Sequence, residues 1–153
     1  MNTRSSSKKA DFTTTISVDQ TPAEAFAAIN NVGAWWSGEI KGAADQLGAE
    51  FSYRYKDMHQ STQKVTEFIP GRKIVWHVQD SRLSFVKNQG EWTGTDLVFE
   101  ISEKAGKTQV RFTHLGLAGL ECHGDCSNGW TALVTGNLRK LIATRARQPD
   151  VFA

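Results

Sequence analysis

The stretch that most restricts the fold is Gly129 to Arg147. Its apolar residues Trp130, Leu133, Val134, Leu138, Leu141 and Ile142 fall at offsets of three, four, eight, eleven and twelve from Trp130. That spacing is one face of an α-helix and fits no strand. A helix of about nineteen residues is roughly 28 Å long. Asp125 or Ser127 is placed to cap its start. Arg139, Lys140, Arg145 and Arg147 put positive charge at its end, where the helix dipole favours it. Such a helix cannot bury its stripe alone. The chain before it reads mostly as strand, so the expected partner is a curved sheet closing around it. Asn137 breaks the stripe where an apolar residue is expected.

The upstream residues alternate as strands do. Phe12, Ile16 and Val18 face inward from a first strand, with Thr13, Thr15 and Ser17 outward. Thr21-Pro22-Ala23-Glu24 then starts a helix: a Thr cap, Pro at the first helical position and Glu closing a capping box. Ala25, Phe26 and Ile29 form its buried side. Asn30, Asn31 and Gly33 interrupt it, and Ala34-Trp35-Trp36 belongs to a second short helical turn. Gly38 to Gly48 reads as a loop. Phe51, Tyr53 and Tyr55 share one face of the next strand. Gln60 to Ile69 is another, ending at Pro70-Gly71, and Arg72 to Gln79 returns as a hairpin partner with Ile74, Trp76 and Val78 on one face. Residues 80–95 are less regular, with a short strand near Leu83 to Val86. Leu97, Phe99 and Ile101 mark one more strand. After the turn at Ala105-Gly106-Lys107, Val110, Phe112 and His114 share a face of the last. Tight turns between successive strands imply antiparallel pairing. The expected fold is therefore α+β: an antiparallel sheet of about six strands wrapped around a long C-terminal helix, with two short helices after the first strand.

The length of 153 residues suits one domain. It is expected to span 11–147, between a disordered polar tail at 1–10 and a C-terminal tail at 148–153. The net charge is +2 with no basic run in the body, which argues against nucleic-acid binding. No stretch approaches the ~20 apolar residues of a membrane span. Met1 to Ala10 lacks the apolar core of a secretory signal. With two cysteines and no signal, the expected location is the cytoplasm, with reduced thiols.

Several pieces in this order resemble the START-like, or SRPBCC, superfamily, and within it the homologues of the activator of heat-shock protein 90 ATPase. They are Thr21-Pro22-Ala23-Glu24-Ala25-Phe26, then Trp35-Trp36 before Phe51-Ser52-Tyr53, then Val75-Trp76. Glu91-Trp92-Thr93-Gly94-Thr95 follows, before Leu97-Val98-Phe99-Glu100-Ile101. Last is Glu121-Cys122-His123-Gly124-Asp125-Cys126-Ser127-Asn128-Gly129-Trp130, leading into the long helix. The resemblance implies a helix-grip fold with an apolar cavity between the sheet and the last helix. The full eukaryotic activator carries a further chaperone-binding domain, for which this chain leaves no room.

Five Trp and eight Phe are many for this length. Drawn from most of the elements, they are either a bulky core or the lining of a cavity. The residues expected to line a ligand site are Trp35, Phe51, Tyr53, Tyr55, Trp76, Trp92, Phe99, Phe112, His114, Trp130, Leu133 and Asn137. His114 should point inward beside Phe112, where Asn137 could meet it. Cys122 and Cys126 lack a complete zinc ligand set, so neither metal nor cofactor is expected, and the pair is read as small residues packing the start of the helix. No catalytic motif is found. The first functional reading is binding of a small hydrophobic ligand, lipid- or polyketide-like, by a monomer or homodimer. The second is a cyclase or hydratase using His114, Tyr53 or Glu67 as acid or base. The third is an interaction protein contacting a chaperone.

Overall fold

In the computed structural model, which describes residues 11–152, the strands are β1 (Phe12–Val18), β2 (Glu39–Gly42), β3 (Glu50–Tyr55), β4 (His59–Ile69), β5 (Lys73–Leu83), β6 (Asp96–Lys104) and β7 (Lys107–His114). The tail assigned to residues 1–10 lies outside the described residues. The seven strands form one antiparallel sheet in the order β1-β7-β6-β5-β4-β3-β2. β2, at one edge, lies in the segment read as a loop. It is short and exposed, so no apolar alternation announces it. Gly42, at its end, has φ 97°, and a Cβ there would sit 2.4 Å from the Glu50 carbonyl oxygen, so the close approach to β3 needs glycine.

The inward faces follow the alternation. Phe51, Tyr53 and Tyr55 of β3, Ile74, Trp76 and Val78 of β5, Leu97, Phe99 and Ile101 of β6, and Val110, Phe112 and His114 of β7 are all buried. Register shifts interrupt the β4–β5 ladder between Thr62 and Gln63 and between Val65 and Glu67. Such bulges bend and twist a sheet, and here they curl the longest hairpin. β5 runs on to Leu83, paired there with His59, longer than the strand expected to end at Gln79.

Helix α1 (Pro22–Asn30) starts with the expected capping box: Glu24 N–H donates to Thr21 Oγ1 at 3.1 Å and Thr21 N–H to Glu24 Oε1 at 3.0 Å. A 3-10 turn at Val32–Ala34 takes the place of the second short helix. The C-terminal helix runs through 123–144 as α2 (His123–Thr131), a π-helical stretch (Ala132–Leu138) and α3 (Arg139–Thr144). It begins before Gly129 and stops before Arg147, because Arg145 turns left-handed at φ 61° and pairs with Glu24 of α1. Neither Asp125 nor Ser127 caps its start. The Glu91 carboxylate accepts the N–H groups of Glu121 and Cys122, each at 2.9 Å. Thr131 and Thr135 hydroxyls donate to the carbonyls of Ser127 and Thr131, and Gly136, a weak helix former, lies within the π stretch.

The stripe Trp130, Leu133, Val134, Leu138, Leu141 and Ile142 is buried against the sheet. Residues 148–152, set apart from the domain by the sequence, fold back onto it. Gln148 N–H donates to Ala34 O at 2.8 Å and Val151 N–H to Ser37 Oγ at 2.9 Å. Among the described residues no helix is long and apolar enough to cross a membrane.

Candidate functional site

A cavity of about 460 Å³ opens beside the first half of the C-terminal helix. Its walls are Trp36, then Tyr53 and Tyr55 of β3, His59 of β4, Trp92 of the β5–β6 loop, and Cys126, Gly129, Trp130 and Leu133 of the helix. Lys56, Met58, Phe85, Asp125 and Phe152 surround the mouth. Met58, Phe85 and Phe152 are large apolar residues left exposed there, so the mouth is apolar as well as the walls.

Of the twelve residues expected at a ligand site, Tyr53, Tyr55, Trp92, Trp130 and Leu133 line this cavity. Trp35, Phe51, Trp76, Phe99, Phe112, His114 and Asn137 lie behind it in packed core. The rings there touch in series: Phe51 to Trp76 at 4.9 Å, Trp76 to Phe99 at 4.8 Å, Phe99 to Phe112 at 5.0 Å and Phe112 to Trp130 at 4.4 Å between centroids. Edge-to-face and tilted contacts of this kind add cohesion beyond burial.

His114 and Asn137 do not meet. Trp130 Nε1 donates to His114 Nδ1 at 3.0 Å, which leaves the proton on Nε2 facing Thr95 Oγ1 at 2.9 Å. Thr95 in turn donates to the Trp92 carbonyl at 2.6 Å. Both ring nitrogens are used, so His114 has nothing left for a ligand. The Asn137 amide donates to Trp35 O at 3.2 Å and Pro149 O at 2.9 Å. Its polar group sits mid-stripe to tie the C-terminal segment and the Trp35 backbone to the π stretch. The cavity-facing role expected of it is corrected accordingly.

The reading of Cys122 and Cys126 as reduced thiols is also corrected. They are joined as a disulfide, their Cα atoms 5.5 Å apart across the first helical turn. Cys126 forms part of the cavity wall, and Cys122 Sγ accepts the Trp92 indole N–H at 3.4 Å. Among the described residues, no group of three or more His, Cys, Asp or Glu could hold a metal ion.

The buried polar atoms in and behind the cavity wall were not legible as such in the sequence. Along β4, His59, Ser61, Gln63 and Val65 share the inward face, opposite Tyr55, Tyr53 and Phe51 of β3. Gln63 is fully buried with neither amide atom partnered, and Ser61 Oγ is also buried and unpartnered. In the cavity wall, Trp36 Nε1, Tyr55 OH and His59 Nε2 likewise have no partner. Burial holds His59 neutral, its pKa pushed down to about 4. Desolvation, with His59 nearby, pushes His114 down to about 3. Burial raises the Tyr53 hydroxyl, which donates to Ser37 O at 2.5 Å. Glu67 pairs with Lys73 at 3.4 Å and is not in the cavity wall. A larger depression of about 850 Å³ crosses the outer face of the sheet between Thr13, Lys73, Glu100 and Arg111. None of the unpartnered buried atoms belongs to its lining, so it does not compete as a site.

A curved antiparallel sheet closed on a C-terminal helix, with an apolar cavity beside that helix, defines the helix-grip class of α+β protein. The family described as "Activator of Hsp90 ATPase homolog 1-like protein" matches residues 21–143, and the chain belongs to it. No curated protein matches the chain. Among solved structures, the Aha1 dimer from Colwellia psychrerythraea is similar at 22% identity, over 88% of this chain and 96% of that one, with a TM-score of 0.70. DynU16, from the dynemicin biosynthetic locus, matches at 15% identity over 90% of this chain but 49% of its own length, with a TM-score of 0.68. CalU16 from Micromonospora echinospora matches at 14% identity, over 88% and 77%, with a TM-score of 0.64. At these identities the likenesses establish the fold.

Proposed function

We propose that the protein binds a small, largely apolar ligand in the cavity between β3, β4, the β5–β6 loop and the C-terminal helix. The observation that carries this reading is the cavity wall itself: an aromatic enclosure of about 460 Å³ holding buried polar atoms with no protein partner. Ligand sites combine such apolar walls with a few placed polar groups. Cores do not retain unpaired polar atoms without cost.

Acid–base catalysis is less well supported. Of the three groups proposed for it, His114 is fully bonded, Tyr53 is held to the Ser37 carbonyl, and Glu67 stands outside the cavity. The family description motivates one test of chaperone modulation, stimulated ATP hydrolysis by the chaperone. The dimer described for the Colwellia relative motivates sedimentation analysis of this chain. The experiment that tests ligand binding is native purification followed by mass spectrometry of retained small molecules, alongside a melting screen. A co-purifying apolar molecule whose removal lowers the melting temperature is the expected result. No retained molecule, and no shift across lipids, polyketides and aromatic acids, overturns the reading.

A further inference from the structure

We propose that the cavity takes an uncharged amphiphile, its neutral donor–acceptor head held by Trp36, Tyr55 and His59. This rests on the ligand-binding reading above and adds the polarity of the ligand.

The argument begins with the polar atoms of the aromatic lining. Tyr53, Trp92 and Trp130 each spend theirs on the protein, on Ser37 O, Cys122 Sγ and His114 Nδ1. Trp36 Nε1, Tyr55 OH and His59 Nε2 spend theirs on nothing. Trp36 and Tyr55 are 4% and 8% exposed, so bulk water does not serve them. Trp36 can only donate, a neutral imidazole nitrogen donates or accepts according to its tautomer, and a Tyr hydroxyl does both. The set therefore suits a head that both donates and accepts, such as a primary amide, a hydroxyketone or an ester beside a hydroxyl.

The same strand face carries further unpartnered polar groups behind the cavity. Two and four residues beyond His59 on its strand face come Ser61 and Gln63, buried and unpartnered. Their neighbours on the concave face, Phe51, Val65 and Val78, are apolar, so packing alone does not call for polar residues there.

Among the described residues, no ionised group lies inside. Lys56 and Asp125 are exposed at the mouth, and His59 is neutral above its lowered pKa. A carboxylate pushed inward would lose its hydration without gaining a counter-charge. Left outside in water, it would satisfy none of the unpartnered atoms of Trp36, Tyr55 and His59. Met58, Phe85 and Phe152 expose apolar surface around the same cavity, which gives the ligand's apolar part a wall.

The test compares three probes sharing a twelve-carbon chain, dodecanamide, 1-monolauroylglycerol and laurate, at pH 8 and below their aggregation concentrations. Tryptophan emission reports binding. Dodecanamide and monolauroylglycerol should bind at least tenfold more tightly than laurate. Tyr55→Phe removes one unpartnered oxygen, so its melting temperature should hold or rise while dodecanamide affinity falls fivefold or more. Gln63→Met, behind the cavity lining, should leave folding intact and the probes' affinities little changed. If laurate binds as tightly as the amide, or Tyr55→Phe leaves the amide's affinity unchanged, the uncharged-head assignment is overturned while the cavity remains a ligand site. If none of the three probes binds, this assignment falls, and the ligand-site reading falls with it only if the broader melting screen also shows no shift.

Discussion

Trp130 donates its indole N–H to Nδ1 of His114 over 3.0 Å, and this bond fixes the imidazole's tautomer. His114 is then obliged to donate from Nε2 to Thr95, whose hydroxyl is spent on the Trp92 carbonyl. The end of β7, the C-terminal helix and the β5–β6 loop are joined through one buried ring. Trp130→Phe should strand the Nδ1 acceptor and cost about 1–3 kcal/mol beyond the loss of ring contacts. His114→Phe alone should cost a similar amount by stranding the indole. In the double variant no stranded partner remains, so the two losses should fall short of adding by about 1 kcal/mol. Urea denaturation of the four proteins measures this coupling. Strict additivity would remove the network from the account.

Acid should weaken the fold earlier than carboxylate protonation alone predicts. His59 and His114 have pKa values held near 4 and 3 by burial, both below the ordinary value. The unfolded chain therefore binds protons that the native state refuses, starting at about pH 6.5. Stability from these groups is complete above that pH and is lost as pH falls toward their native values. Each histidine should contribute a slope of about 1.4 kcal/mol per pH unit between pH 6 and 4. Denaturation midpoints across that range read the slope, and His59→Gln should remove roughly half of it. A flat profile above pH 5 would show that both rings reach solvent.

Asn137→Leu provides a direct test of a residue that looks functional in sequence and is bonded as a structural one. Its amide serves Trp35 O and Pro149 O, holding residues 148–152 against the helix. Leucine would extend the apolar stripe but leave both carbonyls without their donor. A loss of about 1–3 kcal/mol is expected, with ligand affinity little changed because the residue does not line the cavity. Unchanged stability with weakened binding would return Asn137 to the site.

The disulfide should be worth less than its position suggests. Closing a loop of so few residues contributes about 2 kcal/mol in the chain-entropy model. Denaturation with and without dithiothreitol should differ by that amount. Cys122→Ala should cost about 1 kcal/mol more than reduction, because it also removes the sulfur that accepts the Trp92 N–H. Identical curves in oxidised and reduced samples would mean the two sulfurs are not joined in solution.

The fold was legible where one face of an element contrasts with the other. Phe51-Ser52-Tyr53-Arg54-Tyr55 and the stripe from Trp130 to Ile142 both carry that contrast, and both are buried as their periods require. The site was legible only in part, because burial does not distinguish a core ring from a cavity ring. Trp76 and Trp92 look alike in sequence, yet Trp76 lies behind the cavity and Trp92 lines it. Trp36, beside the expected Trp35, proves to be the lining residue of the pair. The polar row on β4 has no contrast to reveal it, since Gln60, Thr62 and Lys64 alternate with His59, Ser61 and Gln63. Only the shared parity with Val65 points inward. Glu91 capping a helix some thirty residues later, and Phe152 returning to the cavity mouth, are long-range contacts with no local signature.

Phe152 supports the last prediction. Its ring meets Tyr55 edge-on at 5.4 Å, and its Cζ lies 3.6 Å from where a Cβ on Gly129 would stand. It therefore bridges the β3 wall and the helix wall across the mouth, while remaining 40% exposed. The backbone before it is fixed by Ser37 and Asn137, so the ring can be removed without releasing the segment. Phe152→Ala should cost only about 1 kcal/mol, since part of the ring is already in water. Its larger effect should be kinetic, because changes at the edge of a site act mainly on dissociation. With the neutral probe N-phenyl-1-naphthylamine, stopped-flow fluorescence should show release about fivefold faster or more. An unchanged release rate would reduce Phe152 to a packing contact and leave the cavity mouth without a cover among the described residues.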